Sequence, residues 1–163
     1  LAQGGKEPLL AIVDTRLETP VDAQLFGVAR PVLIYTASQD ALRRQRLQDR
    51  GAVIIDCPED KISSGSGAGG VDLAGVLHDL ARREINEVHV EAGHRLNGAL
   101  INAGLVDELL IYMAPKLIGP GLEMAGLAPI TALSAAPALR IQSVEQIPPD
   151  VRIIARFAGA DDF

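Results

Sequence analysis

The residues best placed to do chemistry in this 163-residue chain crowd into one stretch, Glu91 to Ala99. Gly93 stands where Ser, Thr, Asp or Asn would ordinarily cap a helix. After it, Leu96, Ala99, Leu100 and Ala103 recur at i, i+3, i+4 and i+7 as one apolar helical stripe. The first backbone N–H groups, roughly Gly93 to Leu96, are then left without side-chain acceptors at the positive end of a helix dipole. Such a terminus suits an anion, phosphate above all. Gly93 lets a ligand approach the backbone, and Gly98 sits one turn on. Glu91 would project into the same crevice, at the carboxyl end of a strand where open α/β sheets bind ligands. A purely structural reading uses the same residues: Gly93 makes a tight turn and Gly98 permits close helix–sheet packing. The local pattern leaves both readings open.

Other chemistries find less support. His78, His89 and His94 lack metal-site spacing, and Glu87, His89 and Glu91 alternate along one strand face without an obvious third partner, so no metal site is expected. There is no Gly-x-Ser-x-Gly elbow, and the single Cys57 carries no catalytic signature. One cysteine also excludes an internal disulfide and fits a reducing cytoplasm. Asp107 and Glu108 are neighbours on a strand and point to opposite faces, which argues against a carboxylate pair. No catalytic group is assigned.

The elements that must position these residues read as α/β. A strand over Glu87 to Ala92 leads into the helix from Gly93, which Gly104 ends as a C′ glycine with Leu105 after it. A strand over Glu108 to Ala114, apolar on both faces, reads as central, so the unit predicts a parallel crossover. Earlier, Leu9 to Thr15 and Val32 to Thr36 read as buried strands, and Val53 to Asp56 as a third strand, short and apolar. Ser38 is the expected N-cap of a helix over Gln39 to Asp49 that stops at Gly51. Thr36, Ser38 or an arginine of that helix (Arg43, Arg44, Arg46) could meet a ligand phosphate; a solvated charged face is the alternative. Pro58 to Gly70 lacks the Gly-Lys-Ser/Thr ending of a P-loop and reads as a mobile surface loop. Val71 to Arg83 is an amphipathic helix with Leu73, Val76, Leu77 and Leu80 on one stripe. Pro115 to Pro137 has no sustained period. Leu139 to Ile147 and Val151 to Ala158, joined by Pro148-Pro149-Asp150, predict an antiparallel hairpin.

The run VEAGHRLNGALINAGLVDELLIYMAPKLIGPG, with IVDTRLETP earlier and the closing strand pair, resembles the C-terminal reductase domain of the bifunctional riboflavin-biosynthesis deaminase/reductase. That family has a dihydrofolate-reductase-like fold. The resemblance implies a three-layer α/β architecture, with a mostly parallel mixed sheet and a C-terminal antiparallel hairpin. It implies NADPH-dependent reduction of 5-amino-6-(5-phosphoribosylamino)uracil, a phosphorylated pyrimidine, to its ribitylamino product. It places Thr15, Gly93, His94, Arg95, Leu96, Asn97, Gly98 and Ala99 on the cofactor and Glu91 on the substrate. It also implies a homodimer formed through the later strands. A related reductase with another pterin or pyrimidine substrate, and a non-catalytic nucleotide-binding or oligomerisation module, are the alternatives. The family's opening Ser-x-Asp-Gly-like and Asp-Asp-Pro segments do not precede Leu9, nor does the deaminase zinc motif. Residues 1–163 therefore read as a single reductase-like domain without its N-terminal part, and LAQGGKEP as the cut end of a longer chain.

Composition agrees with this picture. A hydrophobic content of 48% with 3% aromatics points to an Ala/Leu/Ile/Val interior. A net charge of −6, without a basic stripe interleaved with aromatics, disfavours a nucleic-acid partner. No run of eighteen apolar residues exists, so no membrane span is expected.

Overall fold

Val32–Thr36 (β2) is buried at all five positions, as a strand packed on both faces requires. In the computed structural model, which describes residues 7–59 and 70–159, β2 is the middle strand of a parallel sheet. It lies between Leu10–Val13 (β1) and Ala52–Asp56 (β3), with Val13 opposite Tyr35 and Thr36 opposite Asp56. Strand alternation splits its side chains between two clusters. Val32 and Ile34 pack with Leu17, Leu47 and Ala52, while Leu33 and Tyr35 pack with Val71, Val76 and Leu80. The first cluster draws on helix α1 (Ala41–Gln48), the second on helix α2 (Leu73–Arg82).

Both helices start on an aspartate. The Asp40 carboxylate accepts the Arg43 amide at 3.0 Å, and the Asp72 carboxylate accepts the Gly75 amide at 3.0 Å. Ser38, the expected cap of α1, instead receives the Asp40 amide at 3.2 Å. The correction has a simple cause: either residue type can cap, and the one nearer the first helical turn does so. Helix α2 ends with Glu84 at φ 64°, its amide donating to the Ala81 carbonyl and the Ile85 amide to that of Leu80, a Schellman closure with a non-glycine residue in the left-handed position. Residues 60–69, most of the expected mobile loop, lie outside the described residues. The ends of that segment meet where the Glu59 amide donates to the Gly70 carbonyl at 2.8 Å.

Leu1–Glu87 and Val88–Phe163 are two compact units. The second holds helix α3 (His94–Asn102) and an antiparallel sheet in the order β4–β6–β5, from Glu108–Met113 (β4), Leu139–Ile147 (β5) and Asp150–Phe157 (β6). The closing hairpin is as expected, with Ile147 opposite Asp150 across a two-residue turn. Two cross-strand ion pairs brace the sheet between directly opposed residues: Arg156 with Glu108 at 3.1 Å and Arg152 with Glu145 at 2.6 Å.

Two expectations about this unit are corrected. Residues 87–92 form no strand, and Val88 and Val90 are exposed, because alternation makes a strand only where a neighbour accepts its hydrogen bonds, and none is paired to this segment. β4 is an edge strand antiparallel to β6, so no parallel crossover is formed. Its apolar residues on both faces reflect exposed Leu110 and Tyr112 rather than a second packed layer. No helix among the described residues is long and apolar enough to cross a membrane.

The tie between β2 and α2 is polar at one point. The hydroxyl of Tyr35, fully buried, donates to the Asp79 carboxylate at 2.8 Å, and Arg83 and Arg82 reach the same carboxylate at 2.7 and 3.3 Å. Burial, then the Asp79 carboxylate, pushes the Tyr35 pKa up to about 12. The Arg83 hydrogen bond holds Asp79 below the usual carboxylate value against the opposing effect of burial. Tyr35→Phe keeps the ring and leaves Asp79 its two arginines, so the expected loss is about 1 kcal/mol. Urea unfolding should register it as a lower midpoint at unchanged slope.

Candidate functional site

Helix α3 begins without a side-chain cap. Gly93 is its N-cap residue (φ −79°, ψ 169°), no side chain bonds the first turn, and the first helical bond runs from the Asn97 amide to the Gly93 carbonyl at 3.1 Å. A Cβ built on Gly93 would meet nothing within 4 Å, so the approach to these amides is open. At the other end Gly104 adopts φ 66°. Its amide donates to the Ile101 carbonyl and that of Leu105 to the Leu100 carbonyl, both at 3.0 Å, which is the expected Schellman closure.

The rest of the Gly93–Ala99 run divides by role. Arg95 and Ala99 are exposed, and His94 and Leu96 half-buried. Asn97 and Gly98 are turned to a partner that the sequence did not announce, the segment Met124–Gly126. The Asn97 side-chain amide donates to the Met124 carbonyl at 2.9 Å and to that of Ala92 at 3.2 Å. The Gly126 amide donates to the His94 carbonyl at 2.8 Å. A Cβ on Gly98 would overlap the Gly126 carbonyl oxygen and come within 2.6 Å of its carbon. Gly98 is thus a close-packing glycine, against a loop backbone rather than a sheet. The available signal was a second small pair, Ala125-Gly126, hidden in a stretch without period. Glu91 is exposed, and its carboxylate lies 3.6 Å from the His89 ring nitrogen.

Thr15 follows β1 in the first unit. Its carbonyl accepts from the Thr36 hydroxyl at 3.2 Å and the Ala37 amide at 3.3 Å. The turn after it is organised by Asp14, which sequence reasoning passed over. Its carboxylate accepts the Glu18 amide at 2.9 Å, the Thr19 amide at 2.7 Å and the Thr19 hydroxyl at 2.6 Å. Burial raises the Asp14 pKa, but the Thr19 hydroxyl and the backbone amides outweigh it, and the net shift is downward. Leu17 adopts φ 55° in this turn, a left-handed conformation costing about 1–2 kcal/mol, held by a side chain only 2% exposed in the core. The D-x-x-x-x-T spacing was the signal for this turn.

Thr36 and Arg44, further polar candidates of this unit, have structural employment. The Thr36 hydroxyl, fully buried, also accepts the Ser38 amide at 3.1 Å. Arg44 meets Asp56 at 2.6 Å and the Ser38 carbonyl at 2.8 Å. A surface cavity beside the turn is walled by Thr19, Val21, Arg43 and Arg46, and Thr15 does not line it. Cys57 is half-buried, its thiol donating to the Asp72 carbonyl, and burial, then Asp72 and Asp79, push its pKa up, so it is a poor nucleophile. No group of three His, Cys, Asp or Glu among the described residues could hold a metal.

A family model described as the RibD C-terminal domain matches residues 1–153. The chain belongs to that family. It is 32% identical over 154 residues to the riboflavin biosynthesis protein RibD of Bacillus amyloliquefaciens, covering 92% of this chain and 39% of that protein. It is 39% identical over 87 residues to the 5-amino-6-(5-phosphoribosylamino)uracil reductase of Buchnera aphidicola, covering 52% of this chain and 41% of that protein. Among solved structures, Acinetobacter baumannii RibD superposes with a TM-score of 0.71 at 23% identity, over 90% of this chain and 37% of that one. That likeness supports the dihydrofolate-reductase-like fold class. The chain thus spans well under half of these relatives' lengths.

In a RibD C-terminal domain built this way, the contact of Gly98 with Gly126 should tolerate no side chain. Gly98→Ala is expected to destabilise the fold by about 1–3 kcal/mol through overpacking, despite alanine's better helix propensity. Thermal unfolding followed by circular dichroism checks this; an unchanged or raised midpoint would contradict the close approach.

Proposed function

We propose that this domain performs the NADPH-dependent reduction of 5-amino-6-(5-phosphoribosylamino)uracil in riboflavin biosynthesis, in the cytoplasm. The observation that carries the reading is the open, uncapped first turn of α3 at Gly93, within the segment that the family resemblance gives to the cofactor. The residues present fit a dinucleotide phosphate: free amides, no Cβ in their way and a favourable dipole. NADPH, when bound, supplies the hydride that turns the ribosyl group into a ribityl chain.

The chain's own residues bind and orient. Amides of Gly93 to Leu96 hold phosphate oxygens, and Asn97 keeps that turn in place through the Ala92 and Met124 carbonyls. Thr15 offers a hydroxyl to the cofactor from a backbone fixed by Thr36. Glu91, exposed and acceptor-only when ionised, suits the hydroxyl groups of a sugar phosphate substrate.

Gly93→Val puts a branched side chain in the open approach without adding charge. NADPH affinity, read by nicotinamide fluorescence, should fall by about tenfold or more, with the circular dichroism spectrum unchanged. Equal affinity in a folded variant would misplace the phosphate contact. Turnover of the uracil substrate, against other pterin or pyrimidine substrates, separates this reductase from its relatives, and cofactor binding without turnover would favour a binding module.

We also propose that the domain is a homodimer through its later strands. Leu110, Tyr112, Ile141 and Val144 are each at least 42% exposed, more apolar surface than strands of a monomer usually leave open. Light scattering at micromolar concentration should give the mass of two chains. One chain's mass, unchanged on concentrating the sample, would rule this out.

A further inference from the structure

NADPH differs from NADH by one ribose phosphate, and a chain that prefers it needs a cation free to meet that group. Arginine is the residue suited to the task, since its planar fork matches phosphate oxygens. Two arginines of α1, Arg44 and Arg43, are already engaged. Arg44 is held by Asp56 at 2.6 Å and by the Ser38 carbonyl at 2.8 Å. Arg43 donates to the Arg16 carbonyl at 3.2 Å and lies 3.4 Å from Asp40. Arg46 lies about one turn beyond Arg43 along α1, on the wall of a cavity that Leu17 and Glu18 also line and that Thr15 and Arg16 do not.

Arg16 is set apart by its place in the chain and by its exposure. It directly follows Thr15, whose carbonyl is fixed by Thr36 and Ala37. It precedes Leu17, whose side chain is anchored in the core and whose backbone is held in the left-handed region by the Asp14 turn. Pinned on both sides, the backbone leaves the Arg16 side chain in solvent, 74% exposed. Its ion partner is Glu18 at 3.3 Å, itself 59% exposed. Such a pair contributes little and exchanges readily for a phosphate. The Arg43 guanidinium against the Arg16 carbonyl adds positive potential at the same place.

We propose that Arg16 is the specificity-determining residue that makes this chain prefer a 2′-phosphorylated dinucleotide, NADPH, over NADH. The inference rests on the cofactor reading above and adds the residue that chooses between the two dinucleotides. The rigid turn presents the guanidinium beside Thr15, and the incoming phosphate displaces Glu18 from it.

The test is a titration of the purified protein with NADPH and NADH in parallel, using the unsubstituted chain, Arg16→Ala, Arg16→Lys and Arg46→Ala. Arg16→Ala should weaken NADPH binding by about tenfold or more while NADH affinity stays within about twofold. Arg16→Lys should recover part of the preference, and Arg46→Ala, an equal change of charge on the neighbouring helix, should leave it intact. Circular dichroism should be unchanged throughout, since the side chain lies in solvent. An undiminished NADPH preference in Arg16→Ala overturns the assignment, as does an equal loss in Arg46→Ala. Equal affinity of the unsubstituted chain for both dinucleotides overturns it while sparing the cofactor reading. Binding of neither removes that reading, and this inference with it.

Discussion

Burial of β2 on both faces is the constraint from which the first unit follows. Five consecutive residues that cannot reach solvent must find a packing layer on each side, and only a parallel strand flanked by helices supplies two. Val32 and Ile34 commit one face to Leu47 of α1, and Leu33 and Tyr35 commit the other to Val76 and Leu80 of α2. The strand cannot slip by one residue without exchanging both sets at once, so its register is strongly specified. Its last residue carries that precision outward: the buried Thr36 hydroxyl fixes the Thr15 carbonyl and the Ser38 amide, which start the loops where β1 and β2 end.

The three α-helices among the described residues begin in two different ways. α1 and α2 each begin on an aspartate whose carboxylate satisfies an amide of the first turn. α3 begins on Gly93 and forgoes that, a difference of a few tenths to about 1 kcal/mol. Compensation comes from elsewhere in the same unit. Gly104 closes the far end of α3, and Asn97 bonds the turn before the helix to Met124. A helix start left open but braced from the side is what an anion site needs, because the amides must be both free and still.

How much of this was legible in the sequence depended on how local the signal was. The bounds of β2, the closing hairpin, the uncapped Gly93 and the left-handed Gly104 each follow from a few adjacent residues, and each is found. Ser38 and Asp40 were both chemically able to cap α1, and only the position of the first helical bond decides between them. The failures were non-local. Alternation over 87–92 could not reveal that the segment lacks a hydrogen-bonded neighbour, and apolar residues on both faces of β4 could not reveal that β6 alone pairs with it. The packing of Met124–Gly126 on α3 was invisible for the same reason: two glycines 28 positions apart meet only in three dimensions. In the Gly93–Ala99 run, the resemblance supplied the residues and the structure supplied their division into packed and open positions.

That division has a consequence for which positions of the site are constrained. Under the cofactor reading proposed above, the backbone amides do the holding, and the side chains of His94, Arg95 and Ala99 are not needed for it. Gly93 is constrained by access, because any Cβ there enters the open approach. Gly98 is constrained by the Gly126 backbone, and Asn97 by two carbonyls that need donors.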